Sequence, residues 1–315
     1  MEHLGPKDIE RAAAILRTGG LVAFPTETVY GLGASAFDGR AVAKIYEAKG
    51  RPSFNPLILH VASLDQAHAL AALSETALRL ADAFWPGPMT LVCPNPAPEI
   101  SNLTTAGLGS VALRMPDLKL ARDLIAAAGV PLAAPSANRS GKISPTRADH
   151  VIADLNGRID AVLDGGPTTV GLESTILDTT DDKITCLRPG GLALEKVSAL
   201  LGYEVEIAKP LDPDSPSSPG QLQSHYAPKV AVRLNADSAA EAEFLLGFGT
   251  TVEADLNLSR DADLEEAAAN LFAHLHDLDH LAHRTGKMGI AVSPIPEMGL
   301  GLAINDRLRR AAAPR

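Results

Sequence analysis

The chain has few of the residues that build crosslinked or membrane-embedded proteins. Only two of its 315 residues are cysteine, Cys93 and Cys186, and each lies in a separate apolar segment. Two isolated cysteines are too few for a disulfide framework or a structural zinc site. No apolar stretch approaches the roughly 18 residues of a membrane-spanning helix, and no signal peptide is recognisable. We therefore expect a cytoplasmic protein without membrane contact.

Positive charge is also scarce. Asp and Glu total 38 against 28 Lys and Arg, which gives a formal net charge of −10. A protein that holds nucleic acid by its phosphates needs a basic face, and this composition does not supply one. We therefore expect no direct, stable binding of nucleic acid. The hydrophobic content of 46% is ordinary for a globular chain with a sizeable core.

Length and pattern predict two α/β domains. Over residues 1–205, helical segments such as PKDIERAAAILRTGG and GRAVAKIYEAKG alternate with strand-like segments such as LVAF, PLILHVA, MTLVC and SVALRM. This alternation, with consecutive strands later, predicts a mixed sheet, mostly parallel with some antiparallel pairs, flanked by helices. Residues 230–315 predict a smaller α/β unit in which SAAEAEFLLGFG and DLEEAAANLFAHLHDLDHLAH are helices.

A change of composition separates the two units. The segment KPLDPDSPSSPGQLQSHYAPK has five prolines between Pro210 and Pro228. Such a segment sustains neither helix nor sheet, so we predict an extended linker over residues 206–229.

Several loops combine cations, hydroxyls and glycines at predicted strand ends. Lys49 and Arg51 precede the apolar run PLILHV, while Arg114 and Arg188 end other strands. The loops PSANRSGKISPT and GGPTTVGLEST offer hydroxyl and backbone N–H donors to anionic oxygens. Because ligands of open α/β sheets gather at the carboxyl ends of strands, these segments together predict a polyanion site.

Other patterns give weaker signals. GLGASA from Gly31 and GLGSVA from Gly107 fit part of a dinucleotide-binding motif, but neither has the full context, so we interpret these glycines as turns near a ligand. On the long C-terminal helix, His276, His280 and His283 share one face, which permits metal binding. We favour a solvated polar face for these histidines. No serine lies in a G-x-S-x-G elbow.

Six motifs together resemble a known family. FPTETVYGLG, KGRPSFNPL, ALRMP, APSANRSGKISPT, GLESTILD and LRPGG follow one another as in the YrdC-like threonylcarbamoyl-AMP synthases. PGQLQSHYAPK followed by a small α/β domain resembles the two-domain, Sua-type form. The resemblance covers essentially the whole chain. It implies a YrdC-like twisted mixed sheet with flanking helices over residues 1–205, and a smaller Rossmann-like α/β domain over residues 230–315.

The resemblance also implies the site, residue by residue. The family signature that handles the nucleotide phosphates, assigned here as catalytic, carries over to Lys49, Arg51, Ser136 and Asn138. The ATP contacts carry over to Arg51, Asn55, Ser110, Ser136, Ser144, Arg188 and Tyr226. The L-threonine contacts carry over to Thr28, His60, Arg114, Ala134 (through its backbone) and Ser174. We expect Tyr226, set among prolines beside His225, to close over the nucleotide as a lid.

The implied activity is that of a nucleotidyltransferase. ATP, L-threonine and bicarbonate are condensed to threonylcarbamoyl-AMP and pyrophosphate, and the product supplies the tRNA threonylcarbamoyl-transfer machinery that forms N6-threonylcarbamoyladenosine at position 37. Arg51, Lys49 and Arg188 would stabilise phosphate charge, and Arg114 would hold the threonine carboxylate. No protein metal ligands are expected, because Mg²⁺ would be carried mainly by the ATP phosphates. Two alternatives stay open: a carbamoyl-adenylating enzyme with another acceptor, and a non-catalytic RNA-binding module.

Overall fold

The structure is a computed structural model that describes residues 1–208, 225–250 and 253–314. Within these ranges the strands are β1 (Glu2–Leu4), β2 (Val22–Phe24), β3 (Gly31–Ser35), β4 (Ile58–His60), β5 (Met89–Pro94), β6 (Ser110–Arg114), β7 (Leu132–Ala133), β8 (Ala161–Leu163), β9 (Thr175–Asp178), β10 (Thr185–Arg188), β11 (Ala231–Arg233), β12 (Glu243–Gly247), β13 (Leu256–Asn257) and β14 (Gly289–Val292). The helices are α1 (Ile9–Arg17), α2 (Gly39–Lys49), α3 (Leu64–His68), α4 (Glu75–Phe84), α5 (Asn102–Thr105), α6 (Lys119–Ala128), α7 (Ala148–Leu155), α8 (Leu194–Leu201), α9 (Leu264–Thr285) and α10 (Leu300–Ala312).

The first ten strands form one mixed sheet in the order β1-β8-β2-β3-β7-β4-β6-β5-β9-β10. Antiparallel pairs join β2 to β3, β3 to β7, β7 to β4, β6 to β5 and β9 to β10. The parallel pairs are β1/β8, β2/β8, β4/β6 and β5/β9. The mixed sheet is as predicted, but the expectation that it is mostly parallel is wrong. Short loops after β2 and after β9 return the chain antiparallel beside the previous strand, and β7 pairs antiparallel with both of its neighbours.

Helix α2 ends sharply after Lys49, and the loop with Arg51 follows it directly before β4. Asp38 caps α2 by accepting hydrogen bonds from the N–H groups of Arg40 and Ala41. The helix ends at Gly50, whose φ of 62° lies in the left-handed region that glycine adopts without a Cβ penalty. The N–H of Arg51 then bonds the carbonyl of Tyr46 at 2.9 Å. The chain therefore turns at Lys49–Arg51 and enters β4 seven residues later.

The segment GLGASA is a strand over its first five residues and not a turn. Its residues form β3, which pairs with β2 so that Gly33 lies opposite Val22. A Cβ on Gly33 would lie 2.9 Å from the ring of Phe24, so a larger residue does not fit without moving that ring. The glycine is required by packing in the core, so its interpretation as a turn is wrong.

The second unit contains a four-stranded parallel sheet in the order β11-β14-β12-β13. The predicted helix over residues 238–249 is wrong, because residues Glu243–Gly247 form β12 between β14 and β13. Phe244, Leu245 and Leu246 are all buried. A continuous apolar run is typical of a strand covered on both faces, and over so few residues it has no period that distinguishes it from a helix.

The two units share one apolar core. Val29, Ile143 and Leu172 of the first unit pack in the same cluster as Leu271 and Phe272 of α9. The backbone of α9 comes so close at Gly171 that a Cβ there would lie 2.5 Å from the carbonyl oxygen of Ala268. α9 is therefore packed directly against the first unit.

The predicted boundaries at residues 205 and 229 stay predictions, because residues 209–224 of the linker lie outside the described residues. In the described part of the chain, none of the helices combines the length and the apolar character needed to cross a lipid bilayer.

Candidate active site

Strand ends and loops of the large sheet converge on one small cavity. β4 and β6 are parallel, and their register places His60 beside Arg114 at the last position of each strand. β10 ends at Arg188. The cavity is lined by Thr26, Val29, Gly31, Arg51, Ile58, His60, Arg114, Ala134, Pro135, Ser136, Glu173, Ser174, Arg188, His225 and Tyr226. Eight of the fourteen predicted site residues are in this lining.

Three buried arginines supply positive charge to the lining of the cavity. Arg51, Arg114 and Arg188 are each no more than 9% exposed. Burial lowers the pKa of Arg51 to about 10, and Arg188 nearby contributes in the same direction. Burial likewise lowers the pKa of Arg188. Repulsion between cations in a buried space favours an anionic ligand, as a polyanion site requires.

Arg114 is held by a carboxylate that the sequence analysis did not assign. Its Nη2 donates to Oε1 of Glu27 at 2.6 Å, and its Nε lies 3.4 Å from the carbonyl oxygen of Gly87. The other oxygen of Glu27 accepts the N–H of Asp117 at 3.0 Å. The side chains of both partners are almost fully buried. Glu27 thus fixes the guanidinium at the end of β6.

Arg188 and Ser174 form the opposite wall. Nη2 of Arg188 donates to the carbonyl oxygen of Ser174 at 2.8 Å, and the Oγ of Ser174 lies 2.7 Å from Oγ1 of Thr90. Gly190 follows in the same turn, where a Cβ would lie 2.3 Å from the carbonyl oxygen of Glu173. The LRPGG motif therefore carries a glycine because two backbone segments touch there.

Lys49 supports the site and does not line it. Its ammonium donates to the carbonyl oxygens of Ser136, at 2.5 Å, and of Asn138. Asn138 in turn donates from Nδ2 to the carbonyl oxygen of Lys142 at 2.9 Å. Burial, followed by the charge of Arg51, lowers the pKa of Lys49 well below its usual value. These contacts hold the loop that presents Ser136 to the cavity.

Four further predicted residues lie outside the lining. Thr28 contacts the lining residue Thr26, with 2.8 Å between the two hydroxyl oxygens. Ser144 donates to Oε1 of Glu173 at 2.5 Å. Asn55 is fully buried, and neither of its amide atoms has a hydrogen-bond partner among the described residues. Ser110 begins β6, so it lies about 13 Å along the strand from Arg114.

Two imidazoles in the lining are neutral at neutral pH. Burial, and then the charge of Arg114, lower the pKa of His60 to about 3. Burial and four neighbouring cations, led by Arg51, lower the pKa of His225 well below its usual value. The Nδ1 atoms of both rings lack a hydrogen-bond partner within residues 1–208, 225–250 and 253–314. Both rings can therefore contact a ligand in the neutral form.

The end of the predicted linker closes the cavity. Tyr226 is 1% exposed and has a φ of 60°, an uncommon conformation for a bulky residue. Its ring stacks on Phe272 of α9, with 5.5 Å between centroids, and His225 meets it edge-on at 4.1 Å. The cavity has a volume of only about 50 Å³. That is room for one or two water molecules and not for a nucleotide.

A larger cavity contains none of the predicted site residues. It has a volume of about 640 Å³ and lies between α7 and α9. Several of its charged groups pair with one another: Arg147 bonds both Asp149 and Asp277, and Asp279 accepts the backbone N–H groups of Lys229 and Val230. We place the active site at the smaller cavity, because three buried arginines converge only there within the described residues.

The histidines of α9 have different surroundings. His280 and His283 are exposed, as a solvated polar face requires. For His276 that interpretation is wrong: its ring stacks on His150 of the first unit at 3.9 Å, and its Nε2 lies 3.2 Å from the carbonyl oxygen of Ser144. Across the described ranges, no group of three or more His, Cys, Asp or Glu is arranged to hold a metal ion.

Four ionisable side chains at or beside the cavity were not predicted as site residues. They are Glu27, Glu173, His225 as a lining residue, and Arg307 of α10, which bonds Glu173 at 2.9 Å. Glu27 and Glu173 lie within the FPTETVYGLG and GLESTILD motifs, so their positions were visible. Nothing in the sequence pointed to Arg307, since it lies in an ordinary basic helix end.

Comparison with known proteins identifies the family. Residues 14–190 match the profile of the YciO/YrdC-type family described as "Telomere recombination". Residues 192–313 match the profile described as "Threonylcarbamoyl-AMP synthase, C-terminal domain". The chain belongs to the threonylcarbamoyl-AMP synthase family. The family and the fold class predicted from the motifs are confirmed.

Members of this family are similar over the full length. The threonylcarbamoyl-AMP synthase of Bacillus subtilis is 44% identical over 329 residues, covering 98% of this chain and 93% of the relative. The synthase of Pyrococcus abyssi is 44% identical over 334 residues, covering 100% and 96%. A crystal structure of the Pyrococcus abyssi family member, solved with L-threonine, superposes with a TM-score of 0.90 at 41% identity, covering 99% of this chain and 98% of that one.

The fold of the first unit also occurs in a larger protein. The structure of full-length HypF superposes with a TM-score of 0.52 at 17% identity, covering 59% of this chain and 30% of that one. At this identity the likeness shows the fold alone.

Proposed function

We propose that this protein is an L-threonylcarbamoyladenylate synthase. It condenses ATP, L-threonine and bicarbonate to threonylcarbamoyl-AMP and pyrophosphate, and the product is used to form N6-threonylcarbamoyladenosine at position 37 of tRNA. The observation that carries the proposal is the convergence of Arg51, Arg114 and Arg188 on one buried cavity. The chain that builds this cavity matches threonylcarbamoyl-AMP synthases over its whole length. The Pyrococcus abyssi relative was solved with L-threonine, which supports the substrate.

The threonine subsite is proposed at the ends of β4 and β6. The guanidinium of Arg114 binds the carboxylate, with its orientation fixed by Glu27. The neutral ring of His60 and the Oγ of Ser174 are beside it in the same lining. Thr28 and the backbone of Ala134 complete the proposed set. Because both strands are interior strands of the sheet, this subsite is rigid.

The ATP subsite is proposed on the loops around Arg51, Ser136 and Arg188. Lys49 and Asn138 keep the Ser136 loop in place, while Arg51 and Arg188 face the phosphates. Asn55, Ser110 and Ser144 complete the set proposed for ATP, together with Tyr226. Asn55 is the best supported of the first three, because a buried amide without a protein partner gains a full hydrogen bond from a ligand. Ser110 is the most distant from the cavity.

The chemistry has two bond-forming steps. Bicarbonate takes up a proton and loses water to give carbon dioxide, and the neutral amine of threonine adds to it and releases a proton, which gives a carbamate. A carbamate oxygen then attacks the α-phosphorus of ATP, and the bond to pyrophosphate breaks. Negative charge grows on the phosphates, where Arg51 and Arg188 stabilise it. With a pKa of about 3, His60 is suited to hydrogen bonding and is a poor proton acceptor at neutral pH.

Mg²⁺ is proposed to arrive with the ATP phosphates. The residues described do not offer it a cage, since they contain no metal-holding group of three or more His, Cys, Asp or Glu. The two carboxylates in or beside the cavity, Glu27 and Glu173, both pair with arginines. We therefore assign Mg²⁺ no protein ligand and derive no step from it.

The proposal is tested by mixing the protein with Mg²⁺–ATP, bicarbonate and single amino acids. We expect pyrophosphate release with threonine, and a new adenylate of the mass of threonylcarbamoyl-AMP by mass spectrometry. Omission of bicarbonate should abolish both signals. Formation of ADP and phosphate, or turnover that is indifferent to bicarbonate, would falsify the proposal. Turnover of carbamoyl phosphate without threonine would instead identify a carbamoyl-adenylating enzyme.

A further inference from the structure

Arg307 is a fully buried cation that the second unit inserts into the first. It lies on α10 and is 0% exposed. Its Nε donates to Oε2 of Glu173 at 2.9 Å, and its Nη1 donates to the carbonyl oxygen of Pro189 at 2.8 Å. Both acceptors belong to the loops that form the wall of the cavity around Arg188. An arginine is rarely buried unless its charge is paired, and here the partners are Asp306 on the same helix, 2.8 Å from Nη1, and Glu173 of the cavity lining.

Glu173 links Arg307 to Ser144, which is predicted to contact ATP. Its Oε1 accepts the hydroxyl of Ser144 at 2.5 Å, while Oε2 accepts Nε of Arg307. The backbone at Glu173 is already fixed, since its carbonyl oxygen accepts the N–H of Gly191 at 2.9 Å. The orientation of the side chain is set by its two partners, Ser144 at one oxygen and the cation Arg307 at the other. Without Arg307, the carboxylate would have Arg188 as its nearest remaining cation and would be free to swing toward the phosphate site.

The guanidinium of Arg307 also contacts Tyr226, which with His225 forms the closing segment at the end of the predicted linker. Its Cζ lies 5.3 Å from the centroid of the Tyr226 ring, over the ring face. Phe272 of α9 stacks against Tyr226 at 5.5 Å. The left-handed backbone of Tyr226 is unfavourable for a bulky residue and persists only where its surroundings hold it. The second unit supplies two of those contacts.

Interface stability alone does not account for a charge at this position. The desolvation of a buried ion pair offsets much of its attraction, and apolar residues of similar volume stabilise an interface as well or better. The rest of the interface core is apolar, with Leu271 and Phe272 packed on Val29 and Leu172. An ion pair between the units also occurs at the surface, where Arg147 meets Asp277, but the pair of Arg307 with Glu173 is buried beside the active-site loops. Burial raises the pKa of Glu173, but Arg307 and Arg188 outweigh that effect and lower it below its usual value.

We propose that Arg307 is a positioning residue through which the second unit sets the ATP subsite, by fixing Glu173 and with it Ser144 and Tyr226. The inference rests on the proposed function, and it assigns the second unit a direct part in nucleotide binding. Arg307 touches neither substrate. Its effect reaches ATP through Glu173.

The test compares Arg307→Met with Arg309→Met in the full-length protein. Arg309 is on the same helix, pairs with Glu297 and is more than half exposed, which makes it a matched control. Pyrophosphate release is measured against ATP concentration at saturating threonine and bicarbonate, and threonine binding is measured by calorimetry without ATP. For Arg307→Met we expect the KM for ATP to rise at least about tenfold, with threonine affinity within about twofold of wild type. Arg309→Met should match wild type in both.

A purely structural role gives a different result. Loss of folded protein lowers kcat in proportion to the active fraction and leaves the KM for ATP unchanged, and that outcome would overturn the inference. If Arg307→Met does not fold, Arg307→Lys keeps the charge but loses the two-pronged contact, and its KM for ATP should still rise several-fold, about fivefold. A wild-type KM in Arg307→Lys would then refute the inference.

A double variant tests the route through Glu173. Arg307→Met/Glu173→Gln should have a KM for ATP within about twofold of that of Arg307→Met, because the second change removes a group whose orientation is already lost. Fully additive losses would mean that Arg307 does not act through Glu173. Failure of the proposed function is seen separately, as absence of pyrophosphate release by the wild-type protein.

Discussion

Replacing Arg114 by alanine tests the threonine subsite most directly. Under the proposed function its guanidinium binds the substrate carboxylate, and a hydrogen bond to a charged group contributes about 1.5–3 kcal/mol. Arg114→Ala should therefore weaken threonine binding by roughly 10- to 150-fold, with much less effect on ATP binding. Arg114→Lys should rescue poorly, because an ammonium group cannot reproduce a two-pronged contact.

Arg114→Ala should also destabilise the fold. The assay must separate this loss of stability from the loss of threonine affinity. The Nη2 of Arg114 lies 2.6 Å from Oε1 of Glu27, and both side chains are buried. Removing one partner of a buried ion pair costs about 3–5 kcal/mol of stability. With an unfolding entropy of about 2.1 cal/mol/K per residue, each kcal/mol lowers the melting temperature of a chain of 315 residues by about 1.5 °C, so Arg114→Ala should melt roughly 4–8 °C below wild type. The hydrogen bond from the N–H of Asp117 to Glu27 remains in this variant, so we expect a decrease in melting temperature toward the lower end of this range.

A double variant distinguishes the two costs. Arg114→Ala/Glu27→Gln removes the unpaired buried charge, so it should recover much of the melting temperature without recovering threonine affinity. Calorimetry with threonine and with a non-hydrolysable ATP analogue, below the melting temperature of every variant, measures the two affinities separately. Arg122→Ala, a neighbouring and partly exposed arginine, is the control. Equal losses of threonine and ATP affinity would show that Arg114 supports the whole site, and an unchanged threonine affinity would refute its role.

Two further predictions concern the closing segment and the histidines. Tyr226→Ala should leave the protein folded but lose ATP affinity or release hydrolysed product, whereas Tyr226→Phe should keep most of the closure; wild-type turnover and ATP binding by Tyr226→Ala would refute the lid. Burial is the main cause that lowers the pKa values of His150 and His276 to about 4. Both rings stay neutral in the folded protein while the unfolded chain takes up protons below pH 6.5, so stability should fall with pH between about 6.5 and 4, by up to about 1.4 kcal/mol per pH unit for each ring. His276→Gln should reduce that slope in thermal melts, and the exposed His283→Gln should not; equal slopes in both variants would contradict the assignment.

The sequence predicted the parts of the site that lie close together along the chain. One short motif contains Lys49, Arg51 and Asn55, and another contains Arg188 and Gly190. These residues could therefore be found from the sequence alone. The roles within a motif were less visible. Lys49 carries the same charge as Arg51, yet it binds the carbonyl oxygens of the Ser136 loop, while Arg51 faces the cavity. Which of two neighbouring cations faces a ligand depends on where the helix ends and how the chain turns, and composition does not reveal that.

Contacts between distant parts of the chain could not be predicted at all. Arg307 bonds Glu173 across 134 positions of sequence, and His276 stacks on His150 across the interface of the two units. The helix predicted over residues 238–249 is wrong for a related reason. The apolar run of β12 fits either a helix or a buried strand, and only its pairing with β14 and β13 distinguishes the two. In each case the deciding partner lies far along the chain, where local propensity carries no information.

The two proposed subsites differ in how they are held, and that difference predicts an order of events. His60 and Arg114 end interior strands and are fixed by sheet hydrogen bonds and by Glu27, so the threonine subsite exists before any ligand binds. Arg51, Ser136 and Tyr226 lie on loops, and Tyr226 keeps its left-handed backbone through contacts from α9 and α10. With Tyr226 in place the cavity is only about 50 Å³, too small for ATP. Threonine is also larger than this cavity, but it should need a smaller opening than ATP, whose binding must displace the segment and close it again. The second unit holds that segment from two helices, so the free energy of its contacts with Tyr226 sets part of the cost of admitting ATP.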